Sequence, residues 1–340
     1  MDELKEALLY EKLENNKVKC NLCSFHCLIE NNKMGACKTR VNKNGVLYTL
    51  SYGRVGGYSI EPIEKKPFYH FHPGSKVLSF GTPGCNFSCL NCQNYFMSQT
   101  PKTIENTYSQ TKYFSPQQIV QAGLKADGFA YTYTEPTIFF EYARDCVLEE
   151  RKKTGKFHVW VSNGFYSDQL LEKIIKEKLV DAVRIDLKFT SEEKYAEVCK
   201  ARFEPVLKNI KKISKTSIHL ELINLLIPGY NDSEQDIINT VDLVKKINEN
   251  IPLHFLKFYP YYKLSHLPET SDETLKKALK IGREKLNYVY TGNTSIKGGE
   301  DTLCPECGAV LIKRRGVTVI ENNLKQPACP YCGAEISITL

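Results

Sequence analysis

Two rhythms of apolar and polar positions alternate along the middle of the chain. Short apolar or β-rich runs occur at 77–81 (VLSFG), 129–134 (FAYTYT), 157–161 (FHVWV), 182–187 (AVRIDL), 219–226 (HLELINLL) and 253–259 (LHFLKFY). Segments with helical spacing lie between them, such as SPQQIVQAGLKA, SDQLLEKIIKEK and SEQDIINTVDLVKKINEN. Ser115-Pro116 fits an N-cap followed by proline at the first helical position. Strands alternating with helices predict βαβ units and a mostly parallel sheet. Six units are visible, fewer than the eight of a closed β/α barrel. The expected fold is therefore α/β, an open partial (β/α)6 barrel, with a flat doubly wound sheet as the alternative.

The flanks read differently. Residues 1–19 carry an amphipathic pattern that predicts a short helix. RVNKNGVLYTL predicts a hairpin turning at Asn44-Gly45. These observations divide the chain into a Cys-rich N-terminal extension (1–75), the partial barrel (76–300) and a small module (301–340). The last is too short to fold on an apolar core alone and needs a staple.

Composition changes this picture little. The chain has 340 residues, 42% hydrophobic and 25% charged, with a net charge of +7. The excess charge is spread out, with no basic arm or arginine stripe, and residues 301–340 are balanced in sign. A nucleic-acid partner is therefore not expected. No apolar run reaches the ~18–20 residues that span a bilayer, and the first residues lack a signal-peptide core, so the expectation is a cytoplasmic protein with no membrane partner.

The cysteines alter the picture most. There are thirteen, and clustered thiols in a reducing compartment point to metal or redox chemistry. Cys20, Cys23, Cys27 and Cys37 form one set, Cys85, Cys89 and Cys92 a second, and Cys304, Cys307, Cys329 and Cys332 a third. Cys146 and Cys199 stand alone and read as small buried hydrophobes. Four thiolates can close a tetrahedral site, whereas three leave one position open. The central set has the spacing C-x3-C-x2-C, directly after the first strand of the β/α series. It can grip three corners of a cubane iron–sulfur cluster and leave the fourth iron without a protein ligand. A zinc site with a distant fourth ligand and redox-sensing thiols are the other readings.

This motif, GCNFSCLNCQN, resembles the signature of the radical S-adenosylmethionine (SAM) enzymes. The resemblance implies a [4Fe-4S] cluster on Cys85, Cys89 and Cys92, whose open iron chelates SAM. Reductive cleavage of SAM to a 5′-deoxyadenosyl radical follows, and the radical abstracts hydrogen from a substrate. Residues at successive strand ends match the family's SAM contacts: Glu135, Ser162, Asn163, Asp186, Lys188 and Asn224. Asp186 and Lys188, an Asp-x-Lys on one strand face, are similar to the pyruvate formate-lyase activating enzyme group. Tyr133-Thr134-Glu135 replaces the usual Gly-Gly-Glu, and Asn91 stands where an aromatic residue often precedes the third cysteine.

The flanking sets complete the resemblance. CNLCSFHC with GAC could enclose zinc or a second iron–sulfur cluster, with His26 able to replace one thiol. The paired CPECG and CPYCG knuckles, 21 residues apart, signal a zinc ribbon. From end to end the chain resembles the AmmeMemoRadiSam-system radical SAM enzymes. That implies an oxidoreductase of the activating-enzyme kind, a flavodoxin- or ferredoxin-like electron donor, and a protein or small-molecule target. A non-catalytic multi-zinc scaffold is the alternative of a different class.

Overall fold

The computed structural model describes residues 4–99 and 111–340. Its centre is an eight-stranded sheet in sequential order. The strands are β1 (Gly57–Pro62), β2 (Lys76–Gly81), β3 (Gly128–Tyr131), β4 (Phe157–Ser162), β5 (Ala182–Asp186), β6 (His219–Leu226), β7 (Leu253–Lys257) and β8 (Val289–Gly292). β1 pairs antiparallel with β2; β2 to β8 are parallel. β1 and β8 are not paired to each other, so the sheet is open. The sheet thus has seven parallel strands where the sequence pattern predicts six. Among the described residues no helix follows the seventh, so no further strand–helix alternation marks it.

Helices α1 (Pro116–Ala122), α2 (Phe140–Arg151), α3 (Asp168–Lys176), α4 (Phe203–Ile213), α5 (Glu234–Ile247) and α6 (Asp272–Arg283) connect successive strands from β2 onward. Ser115 caps α1 in a capping box with Gln118, and serines also cap α3, α5 and α6. These caps satisfy backbone donors that a helix start leaves unpaired.

The N-terminal helix expected over 1–19 does not form where the structure describes that segment. Lys5–Glu6 pairs with the strand Val46–Thr49, and Tyr10–Lys12 pairs with Val18–Cys20. Cross-strand pairing overrides the helical pattern. The Asn44-Gly45 hairpin is present, with φ of +53° and +79° at the turn. The sheet also begins upstream of the boundary drawn at residue 75, because β1 belongs to it.

The segment after β1 turns inward and fills the base of the sheet. There the buried Glu221 on β6 accepts from the Tyr69 and His70 backbone N–H groups (2.9 and 2.8 Å) and from Nε2 of His254 (2.7 Å) and His219 (3.1 Å). Burial alone would raise its pKa; the two histidines outweigh that and hold it well below the usual carboxylate range. Residues 301–340 close over this base. Arg314 donates to the Tyr69 carbonyl (2.8 Å), and His70 Nδ1 meets the Ser337 carbonyl (2.7 Å). Leu311, Ile312, Leu324 and Ile336 share a buried cluster with Tyr69, Tyr288 and Tyr290.

Candidate active site

The loop leaving β2 carries Cys85, Cys89 and Cys92. Its exit is tight: a Cβ on Gly81 would lie 2.2 Å from the Thr132 carbonyl oxygen. Gly84 has φ +103°, a region that favours glycine, and a Cβ there would overlap Thr39 at 2.3 Å. Backbone bonds tie the loop down, from Ser88 N–H to the Cys199 carbonyl (3.1 Å) and from Leu90 N–H to Val198 (2.9 Å). Phe87 is buried with its ring 5.2 Å from that of Phe165.

So held, the three thiols line one side of a cavity of about 490 Å³. The opposite walls come from the carboxyl ends of the parallel strands, where ligands bind in such sheets. Glu135, Ser162, Asn163, Asp186 and Lys188 all line it. On β5 and its extension, alternation puts Arg184, Asp186 and Lys188 on one side. Asp186 is bridged between Arg184 and Lys188 Nζ, the latter at 2.8 Å. This is a cation-rich wall with one partly exposed carboxylate.

The thiols are not equivalent. The neighbouring Cys199 side chain lowers the pKa of the Cys89 thiol, and the Lys188 charge helps. Burial pushes Cys85 well up, reinforced by the Glu135 charge. Burial also raises Cys92, which Ser98 opposes from 3.1 Å. Three sulfurs on one cavity wall, beside a lysine, form a donor set for a soft metal centre with an open coordination position. The residues present fit such a group.

A family model described as the radical SAM superfamily matches residues 80–243. An uncharacterized protein of Methanocaldococcus jannaschii is 40% identical over 99% of this chain and 100% of its own length. The chain belongs to the radical SAM superfamily. It is an enzyme of the radical SAM type. The pyruvate formate-lyase-activating enzyme of Staphylococcus aureus is 23% identical over 61% of this chain and 88% of its own. Among solved structures, a radical SAM methyltransferase from Sphaerobacter thermophilus superposes with a TM-score of 0.48 at 10% identity, covering 64% of this chain and 67% of that one.

In this radical SAM enzyme Glu135 is also the cap of a short helix. Its Oε1 accepts from Thr137 N–H (3.0 Å), Thr137 Oγ1 (2.6 Å) and Ser162 Oγ (2.8 Å), and its Oε2 from Asn163 N–H (2.8 Å). Asn163 in turn donates to Asn86 Oδ1 (2.7 Å), linking the β4 loop to the cysteine loop. Asn224 stands apart from the other sequence-predicted contacts. Its neighbours Ile223 and Leu225 line the cavity, so alternation turns Asn224 behind the wall. Its amide donates to the Leu187 carbonyl at 2.7 Å, supporting the backbone beside Lys188.

Sequence reasoning missed three participants. Cys199, read as an inert hydrophobe, is buried against Cys89; it ends a π-helical turn that no sequence pattern announces. Lys66 also lines the cavity, 2.5 Å from Glu61 and over the Tyr133 ring. Tyr133 itself takes φ +67°, the left-handed conformation that a glycine would adopt freely. Its hydroxyl donates to Glu61 (2.9 Å) and its carbonyl accepts from Asn94 (2.6 Å). Such strain costs about 1–3 kcal/mol and is held by the surrounding contacts.

The terminal sets are arranged differently from each other. The thiols of Cys304, Cys307, Cys329 and Cys332 all lie within 4.8 Å of one another, a metal-sized group. Among the described residues, neither the N-terminal set nor the central one gathers to that spacing.

Proposed function

We propose that Cys85, Cys89 and Cys92 hold a [4Fe-4S] cluster and that the cavity beside them binds SAM. When bound, the cluster would supply the electron that cleaves SAM to methionine and a 5′-deoxyadenosyl radical, which takes hydrogen from the substrate. The chain's own residues do the positioning. Lys188 would face the SAM carboxylate, and Asp186, held between Arg184 and Lys188, would set the lysine's direction. Glu135, Ser162 and Asn163 form the hydrogen-bonded rim on the other side, and Asn224 steadies the strand end carrying Lys188. The observation that carries this reading is the convergence of three thiols and the Asp186–Lys188 pair on one cavity.

The target is proposed to be a protein, as in glycyl-radical activation. Support comes from exposed aromatics near the cavity: Tyr95 and Phe96 follow the cavity residue Asn94 in sequence, and Tyr259 donates to the carbonyl of the cavity residue Asn293. Exposed aromatics of this kind favour a macromolecular surface. A flavodoxin- or ferredoxin-like donor would supply electrons, and the C-terminal thiols would bind zinc. No helix among the described residues is long and apolar enough to cross a membrane.

Anaerobic reconstitution with iron and sulfide, then SAM and dithionite, tests the chemistry. The expected product is 5′-deoxyadenosine, absent with Cys89→Ala. A colourless protein containing zinc alone, with no product above that control, would favour the scaffold reading.

A further inference from the structure

We propose that Cys20, Cys23, Cys27 and Cys37 bind a second iron–sulfur cluster that passes electrons into the central thiol site. This rests on the reading of the central site given above.

The first observation is spacing. A tetrahedral ion with metal–sulfur bonds of about 2.3 Å sets its sulfurs about 3.8 Å apart. The C-terminal pairs Cys304–Cys332 and Cys307–Cys329 stand at 3.6 and 3.8 Å. The N-terminal cysteines fold into one unit: the Cys20 N–H donates to the Cys27 carbonyl (2.9 Å), the His26 N–H to the Cys23 carbonyl (3.1 Å), and the adjacent Thr39 and Arg40 reach Cys37 and Cys20. Yet the thiols are spread, like the central trio, beyond the single-ion arrangement. A polynuclear cluster, whose irons each meet one thiol, suits that wider set.

The second observation is what faces the sulfurs. Thr39 Oγ1 donates to Cys37 Sγ at 3.2 Å. Arg40, fully buried and paired with Glu141, points Nη1 at Cys20 Sγ from 3.9 Å and leaves Nε without a partner. Donors aimed at cluster sulfurs raise reduction potential and stabilise a reduced, more negative cluster.

The third is placement. The two cysteine loops touch: a Cβ on Gly84, next to Cys85, would sit 3.4 Å from the Cys37 carbonyl oxygen. Cys23 bridges to Tyr166, Phe25 packs on Phe165 at 4.8 Å, and Phe165 packs on Phe87 at 5.2 Å. The Phe87 N–H then donates to Cys85 Sγ at 3.4 Å. Cys23, Cys27 and Cys37 are only partly buried, so the set lies between the surface and the central loop. A structural ion needs no such contact with the reactive site; a relay does. One electron would come from a donor of the ferredoxin or flavodoxin class, reduce this cluster, and leave it for the central one. No bond or proton changes hands.

The test uses the full chain, reconstituted anaerobically, with iron and zinc measured by mass spectrometry and reduced samples examined by electron paramagnetic resonance. The variant with Cys85→Ala, Cys89→Ala and Cys92→Ala should keep about four irons and a signal that SAM does not alter. The variant with Cys23→Ala and Cys27→Ala should keep about four irons and a signal that SAM does alter. It should make 5′-deoxyadenosine with dithionite but fall to background with a reduced protein donor. A triple variant free of iron, with a second zinc per chain, would overturn the N-terminal cluster while leaving the central reading intact. Equal turnover with both reductants in the double variant would overturn the relay. If that variant does not fold, the triple variant decides alone. The central reading itself fails separately, if SAM alters no signal in the parent protein.

Discussion

The C-terminal and central cysteine sets use the same side chain for opposite ends. In the first, Gly308 and Gly333 adopt φ of +72° and +78° just after each C-x2-C pair. Their N–H groups close on the carbonyls of Cys304 and Cys329 (3.0 and 2.9 Å), folding each pair into a knuckle. Four thiols then converge with no position left over. In the second, three thiols share a single loop and face a cavity lined with Lys188, Asp186 and Lys66. A filled coordination shell gives a small module its stability. A shell one ligand short, set against charge, gives a site where something else can bind. On the function proposed above, the number of ligands and the surface they face, rather than the thiols themselves, separate a staple from a reaction centre.

The sharpest way to break this contrast is to remove one thiol from each side. Cys89→Ala should abolish 5′-deoxyadenosine formation while the C-terminal metal stays at its parent stoichiometry, measured by product chromatography and metal analysis. Cys304→Ser should do the reverse in kind, releasing that metal and lowering the thermal midpoint by many degrees. It should disturb turnover only to the extent that the fold loosens, as seen by comparing scanning calorimetry with activity below the transition.

Asp186→Asn should have the next largest effect. Charge-assisted hydrogen bonds contribute about 1.5–3 kcal/mol, so SAM affinity by equilibrium dialysis should fall by roughly ten- to a hundredfold. The thiols should still load with metal. Asn224→Ala should act less, through Lys188 alone, and shift SAM affinity by a smaller factor.

The smallest effect concerns pH. Burial opposes the Glu61 charge, but Lys65, Lys66 and Tyr133 outweigh it and lower its pKa to about 2. A carboxylate depressed on folding stabilises the native state above its unfolded pKa. That contribution is lost as pH falls through about 2. Acid unfolding followed by circular dichroism should therefore show a slope in this range that Glu61→Gln flattens. An unchanged slope would remove Glu61 from the support of Tyr133.

Much of this is legible in the sequence. The β/α rhythm placed six strands because each is a distinct apolar run bounded by polar turns, and Ser115-Pro116 marked a helix start that the capping box bears out. The chemistry was legible where it depends on spacing within a few residues, as with the two C-x2-C knuckles. What stayed hidden depends on partners distant in sequence. The first residues carry a helical pattern, yet they pair as strands because Val46–Thr49 and Val18–Cys20 offer edges to them. Asn224 matched a motif position, but whether a strand residue faces a cavity or backs it depends on register, and a one-residue difference reverses the face. Cys199 lies 110 positions from Cys89 in sequence and meets it only because a π-turn brings it back.

Glu221 gives the tail a wider meaning. One carboxylate gathers the inward segment and two strands of the sheet, while that same segment, through Tyr69 and His70, grips the terminal ribbon. The ribbon is therefore a keystone rather than a detachable accessory. Loosening it would disturb the packing beneath the reactive chamber.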